Sequence, residues 1–135
     1  MAAPPLLVIF HSGDYDRIHH GLSIAAAAVA MERPVELVFV WWALDRLLDD
    51  RLDVPDLGAA HEDVADRFEA RNLPTLRTLL AHLVESGRCT RIGCTGSLAI
   101  LGREPEAPEA PHIDLWLGWS AILQRTAGLT DRFTL

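Results

Sequence analysis

The side chains of this 135-residue chain best suited to chemistry are two cysteines, six histidines and a surplus of carboxylates. Cys94 stands where an apolar run stops and a small-residue turn begins, in "CTRIGCTGSLAILG" over residues 89–102. A thiol at a strand end, just ahead of a helix, meets free backbone N–H groups that favour the thiolate and lower the thiol pKa. Open to a cleft, such a thiolate attacks sulfur or carries it as a persulfide. The opposing reading is that Cys94 only packs, because buried free cysteine behaves as a small, inert hydrophobe. Cys89 begins the same run and reads as a packing residue. If 89–94 is one strand, the two cysteines lie roughly 16 Å apart at ~3.3 Å per residue. A disulfide needs Cα atoms within ~7 Å. No internal bridge is expected, and a reducing cytoplasm fits.

Residues near the same edge would shape the site. His11 ends the first apolar run and either forms an ion pair with Cys94 or caps a turn. Gly13 turns the chain, with Ser12 or Asp14 as helix cap. Asp14 then faces the loop that carries Cys94, beside Thr95 and Gly96. Trp41 and Trp42 read as strand residues pointing to opposite faces, one in the core and the other at a cleft or interface. Trp42 is the cleft candidate. Trp116 and Trp119 flank Gly118 near the last helix, and four tryptophans in so short a chain suggest a subunit contact.

Other titratable residues form no site. His19 and His20 are consecutive on a helix and diverge by about 100°, so they cannot chelate as residues four apart do. Glu62 and Asp66 share a helix face beside His61, but no second histidine completes a zinc site. His82 and His112 have no motif around them. "HSGDYD" holds one glycine and acidic residues that repel phosphate, which disfavours a flavin mononucleotide site. No G-x-S-x-G elbow occurs. No metal and no cofactor is expected.

The elements that must position Cys94 follow from periodicity. "LLVIF" (6–10), "VELVFVWW" (35–42) and "CTRIGCT" (89–95) are continuous apolar or β-branched runs, as strands buried on both faces read. "HIDLWL" and "RFTL" give two shorter strands. Ile18, Leu22, Ala25 and Val29 repeat at helical spacing over 15–31. Short helices are expected over 43–48 and 97–101, and another from Trp119 to near Gly128. Pro74 opens a helix carrying Leu76, Leu79, Leu80 and Leu83, which Gly87 ends. Residues 49–72 form an acidic surface excursion or lid, with one weak amphipathic helix on Ala60, Val64 and Phe68. "REPEAPEAP" (103–111) is a rigid Pro-rich loop. Alternating strands and helices predict a single α/β domain over 1–135: a flavodoxin-like, doubly wound, mostly parallel five-stranded sheet with its site at the carboxyl strand ends.

Composition bounds the partners. The formal net charge is -7, which argues against non-specific nucleic-acid or anionic-membrane binding. No apolar run reaches the ~20 residues of a membrane span. "MAAPPLLVIF" lacks the basic start of a signal peptide, so a cytoplasmic protein is expected.

The residues carry a resemblance. "RIGCTGSLAILG" resembles the segment around the sulfur-carrying cysteine of the DsrE/DsrF-like (TusD-like) sulfur-relay family. "LLVIFHSGDYDRIHHGLSIAAAAVAM" is similar to that family's first strand, Gly-Asp turn and alanine-rich helix, and "PVELVFVWWALDRLL" to its second strand. The similarity is weakest over 49–72 and 103–111. It implies a flavodoxin-like fold, oligomers, and sulfur transfer through a persulfide on Cys94, between donor and acceptor proteins. The expectation is a sulfur carrier or sulfurtransferase. The alternative is a non-catalytic small-ligand-binding or assembly module of the same fold, and a third reading is a thiol redox sensor.

Overall fold

The first strand of the slab, β1 (Leu6–Phe10), lies inside a five-stranded sheet because its side chains are apolar on both faces. β2 (Val35–Phe39) and β3 (Cys89–Cys94) extend the sheet on one side, followed by the short edge strand β4 (Leu115–Leu117). β5 (Asp131–Thr134) pairs with β1 on the other side. All four pairings are parallel, in the order β4-β3-β2-β1-β5. This computed structural model describes residues 3–135. Met1 and Ala2, the first residues of the apolar start discussed above, lie outside it.

Among the described residues six α-helices flank the sheet: α1 (Tyr15–Ala30), α2 (Trp41–Leu48), α3 (Glu62–Ala70), α4 (Leu76–Glu85), α5 (Thr95–Ile100) and α6 (Trp119–Arg125). From β1 to β4 the chain steps one strand at a time in a single direction. Right-handed crossovers therefore place α1, α2, α4 and α5 on one face. After β4 the chain crosses back beside β1, the direction reverses, and α6 lands on the opposite face. The result is an α/β doubly wound slab consistent with a flavodoxin-like fold.

Side-chain alternation divides the core accordingly. Leu6, Val8, Phe10, Leu37 and Phe39 pack against Ile18, Leu22, Leu44, Leu47, Leu80 and Leu83 of the helices. Leu7, Val38, Val40, Ile92 and Cys94 point the other way, onto Ile122 of α6. Full burial of each leucine or isoleucine contributes about 1.5–3 kcal/mol. Gly93 leaves room for the Trp116 ring, which lies where a β-carbon would sit only 2.4 Å away.

Several boundaries differ from those the sequence suggests. β2 ends at Phe39, so Trp41 and Trp42 open α2 instead of alternating along a strand. Trp41 makes that turn with φ +47°, sparsely populated for a bulky residue and costing about 1–3 kcal/mol. Thr75, not Pro74, starts α4: its Oγ1 accepts the Thr78 amide at 3.3 Å. α5 begins at Thr95, directly after β3. The Pro-rich loop coils into 3-10 turns over Glu104–Glu109.

Candidate functional site

The carboxyl ends of β1, β2 and β3 bring the expected residues to one rim. The Ala43 amide donates to His11 O at 3.2 Å, tying the turn after β1 to the start of α2. Gly13 lies against the Trp42 backbone, so closely that a β-carbon there would stand 2.9 Å from Trp42 O. The amides of His11 and Ser12 both donate to Leu135 O, at 2.7 and 3.2 Å. These loop donors are therefore spent on the chain's own backbone. Ser12 Oγ accepts the Asp14 amide at 3.1 Å. Asp14 stands at the N-cap of α1, where its side chain caps no amide. Its carboxylate lies 4.0 Å from Arg17.

Cys94 ends β3 and forms the N-cap of α5, the junction expected of it. Its exposure is not the expected one. The residue is 2% exposed and sits among Leu7, Val38, Val40, Ile92 and Ile122. Strand parity is the reason: Cys94 shares its face with Ile92 and Leu117, under α6, whereas the open rim belongs to the next two residues. Thr95 and Gly96 are exposed. The expectation of a thiol open to a cleft is corrected accordingly. His11 is exposed, and among the described residues its side chain makes no hydrogen bond to Cys94. Its ring lies 6.1 Å from that of Trp41. Trp42 is 53% exposed.

Four grooves on the surface of the described residues lie elsewhere. None is lined by Cys94, Thr95, Gly96, Trp42 or residues 11–14. Three of them surround the acidic excursion and one lies along α4 and His112. Among the described residues no group of three or more His, Cys, Asp or Glu could hold a metal ion. His61, Glu62 and Asp66 are all exposed. His19 bonds Pro74 O at 3.0 Å and packs edge-on to Phe68, a structural role. His112 bonds Asp50 at 2.8 Å. Hydrogen bonds from Arg77 and His112 hold the Asp50 carboxyl below its usual pKa.

Cys89 lies on the opposite face from Cys94, and both thiols are free. Burial pushes the Cys89 thiol up to about 12.

The residue that sequence reasoning missed is Arg46. It is 4% exposed, within the apolar face of α2. Its guanidinium donates to Gly13 O at 2.6 Å, to Arg51 O at 3.0 Å and to both oxygens of Asp56 at 2.9 Å. It also stacks over Tyr15, 5.8 Å from the ring centre. One buried cation thus fastens the β1 turn and the excursion to α2. Burial raises the Tyr15 pKa, against a hydrogen bond from Leu76 and the Arg46 charge. Arg46 follows Asp45 in "ALDRLL", and no local spacing marks it as buried.

No helix among the described residues is long and apolar enough to cross a membrane. No protein-family model and no curated protein matches the chain.

Proposed function

We propose that this chain is a non-catalytic assembly module that associates with further copies of itself through the α6 side of its sheet. The observation that carries this reading is the outward edge of α6. Trp119 and Leu123, one turn apart, are 43% and 58% exposed on the only helix of that face among the described residues. Exposed aromatic anchors of this kind are enriched at subunit contacts. The sealed position of Cys94 supports the non-catalytic half of the reading. Sedimentation across a concentration series tests it. Wild type should associate, and Trp119→Ser with Leu123→Ser should weaken association by about 30-fold or more per anchor lost. A wild type that stays monomeric at the highest concentrations sinks the reading.

A second reading has its own support. Trp41 packs on the cluster that encloses Cys94 and is held at φ +47°, and strained residues concentrate at switch regions. A cover under strain can swing aside and admit a donor. The Cys94 thiolate would then attack the outer sulfur of a donor persulfide R–S–SH. The donor S–S bond breaks, R–S⁻ leaves, and Cys94 keeps one sulfur as its persulfide, with no net oxidation. Intact mass after incubation with a persulfide donor should rise by about 32 Da in wild type and not in Cys94→Ser. Equal loading of both proteins removes Cys94 from the mechanism.

A further inference from the structure

The excursion between α2 and α4 forms an open groove of about 490 Å³ against the body of the protein. Val54, Pro55, Phe68 and Leu73 supply its apolar lining, and no arginine or histidine lines it. Val54 and Leu73 are 73% and 40% exposed. Residues 49–72 carry eight carboxylates against three arginines. Most of those carboxylates are spent. Asp50 and Asp53 pair with Arg77, Asp49 with Arg51 and Arg103, Asp56 with Arg46 and Asp63 with Arg67. Asp66 and Glu69 are different. They stand three residues apart on α3, both line the groove, and among the described residues neither side chain has an ion-pair or hydrogen-bond partner.

Such a groove has an apolar floor left in water and free negative charge beside it. A small cation gains most from an enclosing pocket that buries nearly all of its surface. This groove is open at Val54, which suits a chain passing along it. α3 has no buried residue and leans on the body through Phe68, whose ring lies 5.8 Å from Tyr15 and 5.3 Å from His19. Its position can adjust to an occupant without opening the core.

We propose that this groove docks a basic polypeptide segment of a partner protein. An arginine or lysine reaches Asp66 and Glu69, and a neighbouring aliphatic side chain covers Val54 and Leu73. The surface is separate from α6 and from Cys94, so the proposal stands or falls independently of either reading above.

Fluorescence anisotropy of the full chain with a labelled short peptide of mixed arginine and leucine tests it. Binding should weaken with salt. Asp66→Asn with Glu69→Gln should weaken it about fivefold, and Val54→Ser about threefold. Glu104→Gln with Glu109→Gln, the same charge change on another exposed segment, should leave it unchanged. All five positions are exposed, and circular dichroism checks that each variant is folded. Equal weakening by the control pair overturns the proposal in favour of a general charge field. So does displacement by spermidine with no dependence on Val54, which would mark a small-cation site. Failure of the wild type to bind the peptide overturns it outright.

Discussion

The two faces of the sheet are covered very differently. Four helices bury one face, with Leu22, Leu37, Leu44 and Leu83 fully enclosed. Among the described residues the other carries α6 alone, whose one buried residue is Ile122. Part of that second face is polar: Arg125 of α6 reaches Glu36 at 3.0 Å and Thr90 at 3.4 Å. The apolar remainder lies toward the carboxyl strand ends, around Cys94. The difference comes from winding. Three crossovers run one way and one returns, so one face collects the helices and the other depends on seven residues. A thinly covered face is where a subunit contact has most to add, and where a buried thiol has the shallowest cover.

The largest expected effect contrasts cavities on the two faces. Leu37→Ala, in the centre of the thick side, should cost about 3–4 kcal/mol in denaturant unfolding. Ile122→Ala should cost about 2 kcal/mol, because a short surface helix can settle into the space. Equal losses would contradict the idea that the thin cover relaxes. Overpacking comes next. Gly93→Ala forces a β-carbon into the Trp116 ring and should cost about 1–3 kcal/mol. Gly96→Ala, whose added carbon would sit 3.7 Å from the Cys94 sulfur, should stay within about 0.5 kcal/mol.

The two cysteines extend the contrast to pH. Native-state alkylation near neutrality should leave Cys89 unmodified, because its thiol stays protonated to about 12; Cys94 stays unmodified on the assembly reading and is labelled slowly if the Trp41 cover opens. The unfolded chain loses the Cys89 proton first, so it binds fewer protons than the fold between its ordinary value of 9.0 and about 12. Stability contributed by Cys89 is intact below that window and falls as pH rises through it, by up to ~1.4 kcal/mol per unit. Urea titrations of Cys89→Ala should show a shallower alkaline decline; an unchanged slope would place the thiol in water. The smallest effect is acidic. Burial would raise the Asp114 pKa, but hydrogen bonds from Arg91 hold it below normal. Its stabilisation is present above the ordinary carboxyl range and disappears as pH falls through the lowered value. Asp114→Asn should therefore remove about a few tenths of a kcal/mol of acid sensitivity from unfolding curves, since the pair is partly exposed.

Much of the fold was legible. "LLVIF" announced β1, and the spacing of Ile18, Leu22 and Ala25 announced α1, because periodicity reports burial directly. The α3 helix was visible in Val64 and Phe68, whereas Ala60, expected on the same helix, lies just ahead of it in a 3-10 turn. The errors sit at junctions. "VELVFVWW" reads as one strand because tryptophan suits a pleated surface, yet the chain turns at Val40 and leaves Trp41 strained. The site was half legible. Cys94 does stand between strand and helix, but its side was undetermined, since a shift of one residue exchanges the two faces of a strand.

The order of apolar runs and amphipathic segments was sufficient, by itself, to specify a parallel α/β slab, an acidic excursion at 49–72 and the strand-to-helix junction at Cys94. Those are local matters, written in which residues avoid water. The face on which Cys94 lies, the single helix that covers it, the buried clamp of Arg46 and the groove beside Asp66 were decided only in three dimensions. Each depends on strand parity, crossover direction or partners far apart in the chain, and no local spacing encodes those.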